Sequence, residues 1–298
     1  MDTQLLEAFV AVAEAGSFSA AVERVHITQP AISKRIAQLE DQLECRLFDR
    51  ISRTIYLTPA GRELLPRAHR ILGEIREARQ AIRDLSGSVA GSLRLAISHH
   101  LGLHRLPPIL KAFANTNPGV SLEAEFMDSE VAYEGVLHGR FEIAVITLAP
   151  EPHPRVLSQA IWLDPLVPMV SRDHELANAA SITLAELSRH PVILPGLDTY
   201  TGRMVKRRFD EAGYNLDATM ATNYLETIRM LVSVGLGWSI LPAIMADDSL
   251  RTLNCPELSL RRHLGCIYHS EKTLSNAAQA FLALLMAHAD ETIRKPQR

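Results

Sequence analysis

Two groups of residues in this 298-residue chain have the types and spacing for recognition chemistry. The first is Thr28-Gln29-Pro30-Ala31-Ile32-Ser33-Lys34-Arg35. A glutamine can bond adenine through two contacts, a proline can meet a thymine methyl, and a serine can bond either base or phosphate. Ser17, Ser19, Arg50 and Arg53 flank this run and suit phosphate contact. The second group is discontinuous: Ser98-His99-His100, Asp128-Ser129, Thr147 and Thr199-Tyr200-Thr201-Gly202-Arg203, with Asn223-Tyr224 a weaker member. Each segment follows a candidate strand, where open α/β sheets hold their ligands and helix N-termini present free N–H groups. Positive helix ends, hydroxyl donors and Arg203 favour an anionic ligand, a carboxylate or an inorganic oxyanion. The competing reading sets Arg203 on a solvated face with Lys206, Arg207 and Arg208.

Other chemistries find less support. His99, His100 and His104 lie close together, but no Cys or Glu stands at a ligand spacing, so neither metal nor cofactor is expected. Cys45, Cys255 and Cys266 are odd in number and lack a CxxC pair, which argues against a disulfide framework and for reduced, packed thiols. There is no G-x-G-x-x-G after a strand, no G-x-x-x-x-G-K-[ST] and no G-x-S-x-G elbow, so the chain does not read as an enzyme.

Net charge is −3, and apolar residues make up 47% against 22% charged, with mean hydropathy of +0.03. This is ordinary globular usage, and no stretch approaches the ~20 apolar residues that span a bilayer. The first residues carry no basic leader or cleavage site, so the cytoplasm is the expected compartment. Between Arg24 and Arg62 seven Lys/Arg stand against four Asp/Glu, a local excess where a phosphate backbone would be met.

The elements that must position these residues follow from periodicity. Leu5, Leu6, Phe9, Val12 and Ala13 recur at helical spacing, with Gly16 as a stop. Ser17 or Ser19 caps a second helix to about Val25, and Thr28 caps a third, with Pro30 in its first turn. The short turn between them is helix-turn-helix spacing. Leu47-Phe48 and Ile55-Tyr56-Leu57 suit a hairpin. Thr58-Pro59 opens a helix whose Gly61, Leu64, Ala68, Ile71, Ile75, Ala78, Ile82 and Leu85 form a heptad seam over about 42 Å. Such a seam needs a partner, so a homodimer is expected. A small-residue hinge at 87–92 follows. Beyond it, strands expected at 93–97, 120–126, 142–146, 166–170, 192–194, 218–222, 238–241 and 264–268 alternate with helices, including one over 103–115. That alternation implies mostly parallel sheets.

The run from Phe9-Val10-Ala11-Val12-Ala13-Glu14-Ala15-Gly16-Ser17-Phe18-Ser19-Ala20-Ala21 through Ile27-Thr28-Gln29-Pro30-Ala31-Ile32-Ser33, Gln38-Leu39-Glu40, Leu47-Phe48-Asp49-Arg50 and Leu57-Thr58-Pro59-Ala60-Gly61 resembles the LysR-type transcriptional regulators. It is gapless over about 62 residues; Glu44-Cys45 departs from the family's usual Gly plus apolar residue. The resemblance implies an N-terminal winged helix-turn-helix over 1–57 and a linker helix that dimerises over 58–86. It also implies a C-terminal α/β effector domain of two Rossmann-like subdomains resembling periplasmic binding proteins. Subdomain I would cover 93–160 and 266–298, and subdomain II 161–265. Expected partners are double-stranded promoter DNA, a small-molecule effector in the cleft, further copies of the chain as homodimer and homotetramer, and RNA polymerase, with no membrane. A solute-binding protein without a DNA role is the remaining alternative.

Overall fold

The computed structural model describes residues 2–51, 54–85, 87–216 and 218–294. They form two compact units, residues 1–88 and, for most of the remainder, 89–137 with 141 onward.

The first unit contains α1 (Thr3–Ala15), α2 (Phe18–Val25), α3 (Gln29–Leu43), β1 (Phe48–Ile51), β2 (Thr54–Leu57) and α4 (Pro59–Asp84). Local chemistry sets each boundary. The Asp2 carboxylate accepts from Leu5 N–H at 3.0 Å, and Gly16 closes α1 at φ 65°. Ser17 Oγ accepts from Ala20 N–H at 3.0 Å and caps α2. Thr28 occupies the cap position of α3, but its side chain makes no capping bond. Two helices end on non-glycine residues in the left-handed region, α2 on His26 and α3 on Glu44, both at φ 52°. Glu44 stands where the resembling family usually has Gly, the residue that adopts this conformation without a Cβ penalty.

β1 and β2 pair antiparallel from Phe48–Leu57 to Ile51–Thr54. Phe9, Phe18 and Phe48 meet in the core, with ring centroids 5.3 and 6.3 Å apart. Ile32, Ile36 and Leu39 turn into that core, which leaves the opposite face of α3 to solvent.

The second unit runs β3 (Gly91–Ser98), α5 (His99–His104), α6 (Pro107–Thr116), β4 (Val120–Met127), α7 (Ser129–Leu137), β5 (Ile143–Thr147), β6 (Val156–Ser171), α8 (Leu184–Leu187), β7 (Val192–Leu194), α9 (Tyr200–Glu211), β8 (Ala218–Ala221), α10 (Leu225–Ser233), β9 (Ser239–Pro242), β10 (Leu250–Thr252), β11 (Leu260–His269), α11 (Asn276–Ala287) and α12 (Glu291–Arg294). Its main sheet has the order β10-β6-β11-β5-β3-β4, with β9 also on β6, while β7 and β8 form a separate parallel pair. Only β3–β4 and β3–β5 are parallel in the main sheet. The expectation of mostly parallel sheets is therefore corrected to a mixed sheet. The cause is the ribbon of β6 and β11, which pair antiparallel from Val156–His269 to Leu166–Leu260 and serve both halves of the unit. Only the far end of β6 was expected as strand, so the crossing was missed.

Three smaller differences have local causes. The helix expected over 103–115 is two, α5 and α6, interrupted at Arg105-Leu106 because Pro107 and Pro108 restart the helix. Gly91 and Ser92 belong to β3 rather than to the hinge. The ribbon carries a bulge between Leu264 and Gly265, where a Cβ on Gly265 would lie 2.1 Å from the Gln159 carbonyl oxygen.

Several apolar clusters fill this unit, and aromatic pairs mark two of them. Phe113 and Phe281 meet edge to face at 5.2 Å in one. Phe209 stacks on Trp238 at 5.8 Å in the other.

Candidate functional site

α3 exposes Gln29, Pro30 and Lys34 to solvent, with Thr28 and Ser19 exposed beside them and Ser33 half-buried. Such a convex, uncovered first turn is what major-groove reading requires. Arg35 differs from its neighbours: Nη2 donates to Gln4 Oε1 at 2.8 Å, which ties it to α1 in the free chain. The hairpin is held at both ends. Glu40 Oε1 accepts from Leu47 N–H at 2.7 Å and from Phe48 N–H at 3.3 Å. Thr58 Oγ1 donates to the Arg46 carbonyl at 2.7 Å and accepts from Gly61 N–H at 3.0 Å. Arg50 lies on β1, its side chain outside the described residues, as is all of Arg53. Gln29→Ala is expected to lower discrimination by about 1–3 kcal/mol at one base position while leaving non-specific affinity intact. Binding measured across a panel of single-base operator variants checks this, and a uniform loss at every position would assign Gln29 to the backbone instead.

The long helix divides in two along its seam. Ala68 is fully buried with Leu5, Phe9 and Leu72, and Leu64 packs against the same cluster. Both therefore serve this unit's own core. Ile71 and Ala78 are exposed and Ile75 is half-buried, while Ile82 and Leu85 are 72% and 86% exposed. Pro66 sits inside α4, on the core-packed half.

In the second unit the strand ends converge. Ser98, His99, His100, Asp128, Ser129, Thr147, Thr199, Thr201 and Asn223 line one cavity of about 50 Å³. The geometry is set by caps and short tethers. Thr199 Oγ1 accepts from Gly202 N–H at 3.0 Å and opens α9. Ser129 Oγ accepts from Thr147 N–H at 3.1 Å. Asn223 joins two walls, its Nδ2 donating to Asp128 Oδ2 at 2.7 Å and its Oδ1 accepting from Gly196 N–H at 3.0 Å. The His99 ring lies 4.5 Å from that of Tyr224, and His104 Nε2 is 2.5 Å from Glu226 Oε1.

Two expected residues do not reach the cavity. Arg203 turns outward, where Nη1 donates to the carbonyls of Leu197 and Asp198 at 3.1 and 2.7 Å and its guanidinium lies over the Tyr200 ring. Positions 201 and 203 differ by about 200° around a helix, so a buried Thr201 requires an outward Arg203. Gly202 acts by size: a Cβ there would lie 2.3 Å from the Gly196 carbonyl oxygen.

The cation in the cavity wall is Arg262, 7% exposed. Its Nε donates to Asp164 Oδ2 at 2.8 Å and its Nη1 to Thr201 Oγ1 at 2.7 Å, while Nη2 is buried without a partner. His100, also lining the cavity, has both ring nitrogens buried and unpartnered. Burial, with the Arg262 guanidinium second, pushes its pKa down to about 3. Glu130 completes the wall, accepting from Tyr200 N–H at the start of α9, and burial raises its carboxyl above the ordinary range. The sequence signal for Arg262 is its alternation with Leu260 and Leu264, which sets it on their face of β11; its pairing with Asp164 shows only in the strand register.

A neutral buried histidine makes a signed prediction. Unfolding returns His100 to its ordinary value of 6.5, so its contribution is complete above that pH and declines as pH falls toward about 3. The melting temperature of the second unit should drop over this window, with Glu130 acting in the opposite sense in its own range. In His100→Asn the drop should be shallower; an unchanged slope would exclude His100 as its source. The cysteines are free, and burial pushes the Cys266 thiol up to about 12 and raises that of Cys255, which makes both poor nucleophiles.

A helix-turn-helix unit with an open recognition face, joined to an α/β unit whose strand ends converge on a polar cavity, defines a ligand-responsive transcription regulator. Residues 3–62 match the model of the bacterial regulatory helix-turn-helix protein, lysR family, and residues 86–290 match the LysR substrate binding domain. The chain belongs to the LysR family of transcriptional regulators. It is similar to the transcriptional activator CmpR of Synechocystis sp., 30% identical over 96% of this chain and 95% of that one. It is also similar to a regulator from the ibpB-leuC intergenic region of Azotobacter vinelandii, 63% identical over 36% of this chain and 75% of that one. Among solved structures it resembles CbnR, a LysR family regulator, at 25% identity and TM-score 0.68 over 98% of this chain and 100% of that one. CbnR complexed with its target DNA matches at 26% and 0.63 over 97% and 99%. The family is one of regulators, not enzymes, and no described helix is long and apolar enough to cross a membrane.

Proposed function

We propose that this chain binds a specific promoter as a homodimer, and as a pair of dimers, in the cytoplasm, and that a small molecule carrying an oxyanion group sets its conformation. The observation that carries the ligand reading is Arg262, a buried guanidinium in the cavity wall with Nη2 unpartnered. It takes the anion-binding role first given to Arg203. Thr28, Gln29, Pro30, Ser33 and Lys34 read base edges, and Ser17, Ser19, Arg50 and Arg53 hold phosphates; a similar regulator, CbnR, has been solved in complex with its target DNA. The effector works only through its different affinity for two arrangements of the subdomains, and contact with RNA polymerase completes the output.

Dimerisation rests on the exposed half of α4, where Ile71, Ile82 and Leu85 are large apolar groups open to solvent. An Ile82→Glu chain is expected to sediment as a monomer at micromolar concentration and to bind its upstream DNA at least tenfold more weakly. A variant that remained dimeric would move the interface elsewhere. The reading as a whole is tested by footprinting purified protein on its own upstream region at low salt; no protection at any concentration would end it.

A further inference from the structure

The cavity wall holds more acid than base. Among the described residues Asp128 and Glu130 face it as carboxylates and Arg262 as a guanidinium, and the charge of Arg262 is already balanced by Asp164 at 2.8 Å. A purely anionic ligand would meet two carboxylates without a countercharge. A purely cationic ligand would leave Arg262 Nη2 as it stands, buried and unpartnered. Both conditions are met by a molecule with opposite charges a few bonds apart. Asp128 and Glu130 each use one oxygen in bonds across the cleft, to Asn223 Nδ2 and to Tyr200 N–H. His100, held neutral, offers one donor and one acceptor nitrogen, which suits a ligand that both accepts and donates.

Resting on the effector role proposed above, we infer that the cleft takes a small zwitterion of the α-amino-acid type, its carboxylate at Arg262 and its ammonium at Asp128 and Glu130. The ammonium offsets the unfavourable burial of Glu130, and the carboxylate satisfies the free guanidinium nitrogen. The modest cavity fits a compact backbone-like group at this end, with any longer side chain leaving by the open mouth.

The test uses the full chain and follows the tryptophan-reported melt with each of the common L-α-amino acids in turn, beside propanoate, lactate, sulfate and ethylamine. At least one amino acid is expected to raise the melting temperature saturably at millimolar concentration, and the four single-function probes are not. Glu130→Gln and Asp128→Asn should each weaken that amino acid about tenfold or more, while a cooperative tryptophan-reported melt without ligand shows that the variants fold. The inference is overturned if propanoate, lactate or sulfate stabilises as well as the best amino acid, if no amino acid acts, or if both variants bind it unchanged. Upstream-DNA binding on the same preparation separates the outcomes. With DNA bound and no response to amino acids, only this inference falls; with no DNA bound, the regulator reading falls by itself.

Discussion

Asp164→Ala is expected to destabilise the second unit by about 3–5 kcal/mol, the usual effect of removing one partner from a buried ion pair. Asp164 is 1% exposed and Arg262 7%, so the stranded guanidinium is left in a largely buried site with only the small cavity beside it. The size of the effect lies in the unpaired charge rather than in the worth of the pair. Replacing both partners, Asp164→Leu with Arg262→Met, should therefore be much milder, and it would abolish the proposed carboxylate site without unfolding its walls. The measurement is direct, because both tryptophans of the chain, Trp162 and Trp238, lie in this unit and report its denaturant transition alone. A single variant no worse than the double would show that Arg262 finds another partner.

Gly61→Val should disable the DNA-binding unit by about 3 kcal/mol or more, through overpacking against a wall that cannot yield. A Cβ at this position would stand 2.3 Å from the Leu47 carbonyl oxygen and 2.8 Å from Leu57 Cδ2. The carbonyl belongs to backbone that already accepts from Thr58 N–H at 3.0 Å, and so cannot rotate away without breaking the joint between α3, the hairpin and α4. Operator binding should be lost while the tryptophan-reported transition stays at its wild-type midpoint. If operator affinity survived, the close approach at Gly61 would be dispensable and the hairpin could be held by Glu40 alone.

These two sites show what could and could not be read from the residues in order. The capped helices and the hairpin were legible because Gly16, Ser17, Pro30 and Thr58-Pro59 punctuate the chain by local chemistry. The cavity was legible as a set of segments because strand C-terminal ends gather ligands in α/β sheets. Asp164 and Arg262 were not, because their pairing depends on a register between strands about a hundred positions apart, and the expected strands, 166–170 and 264–268, stopped short of both. Of the two readings of Arg203, the solvated one matches the structure, because the helix turn that buries Thr201 carries Arg203 outward. The seam of α4 was read as one stripe, since periodicity cannot distinguish an apolar face packed on its own domain from one left for a partner.

The β6–β11 ribbon also fixes an order of events at the ribosome. Domains made first can fold first during synthesis, and α1 to α4 leave the tunnel long before β11 and α11 exist. Phe113 must wait for Phe281, and β5 for its neighbour β11, so the first half of the sensing unit stays incomplete until almost the last residues are translated. A message cut short after the long helix would therefore leave the helix-turn-helix unit complete and without the domain that takes its signal.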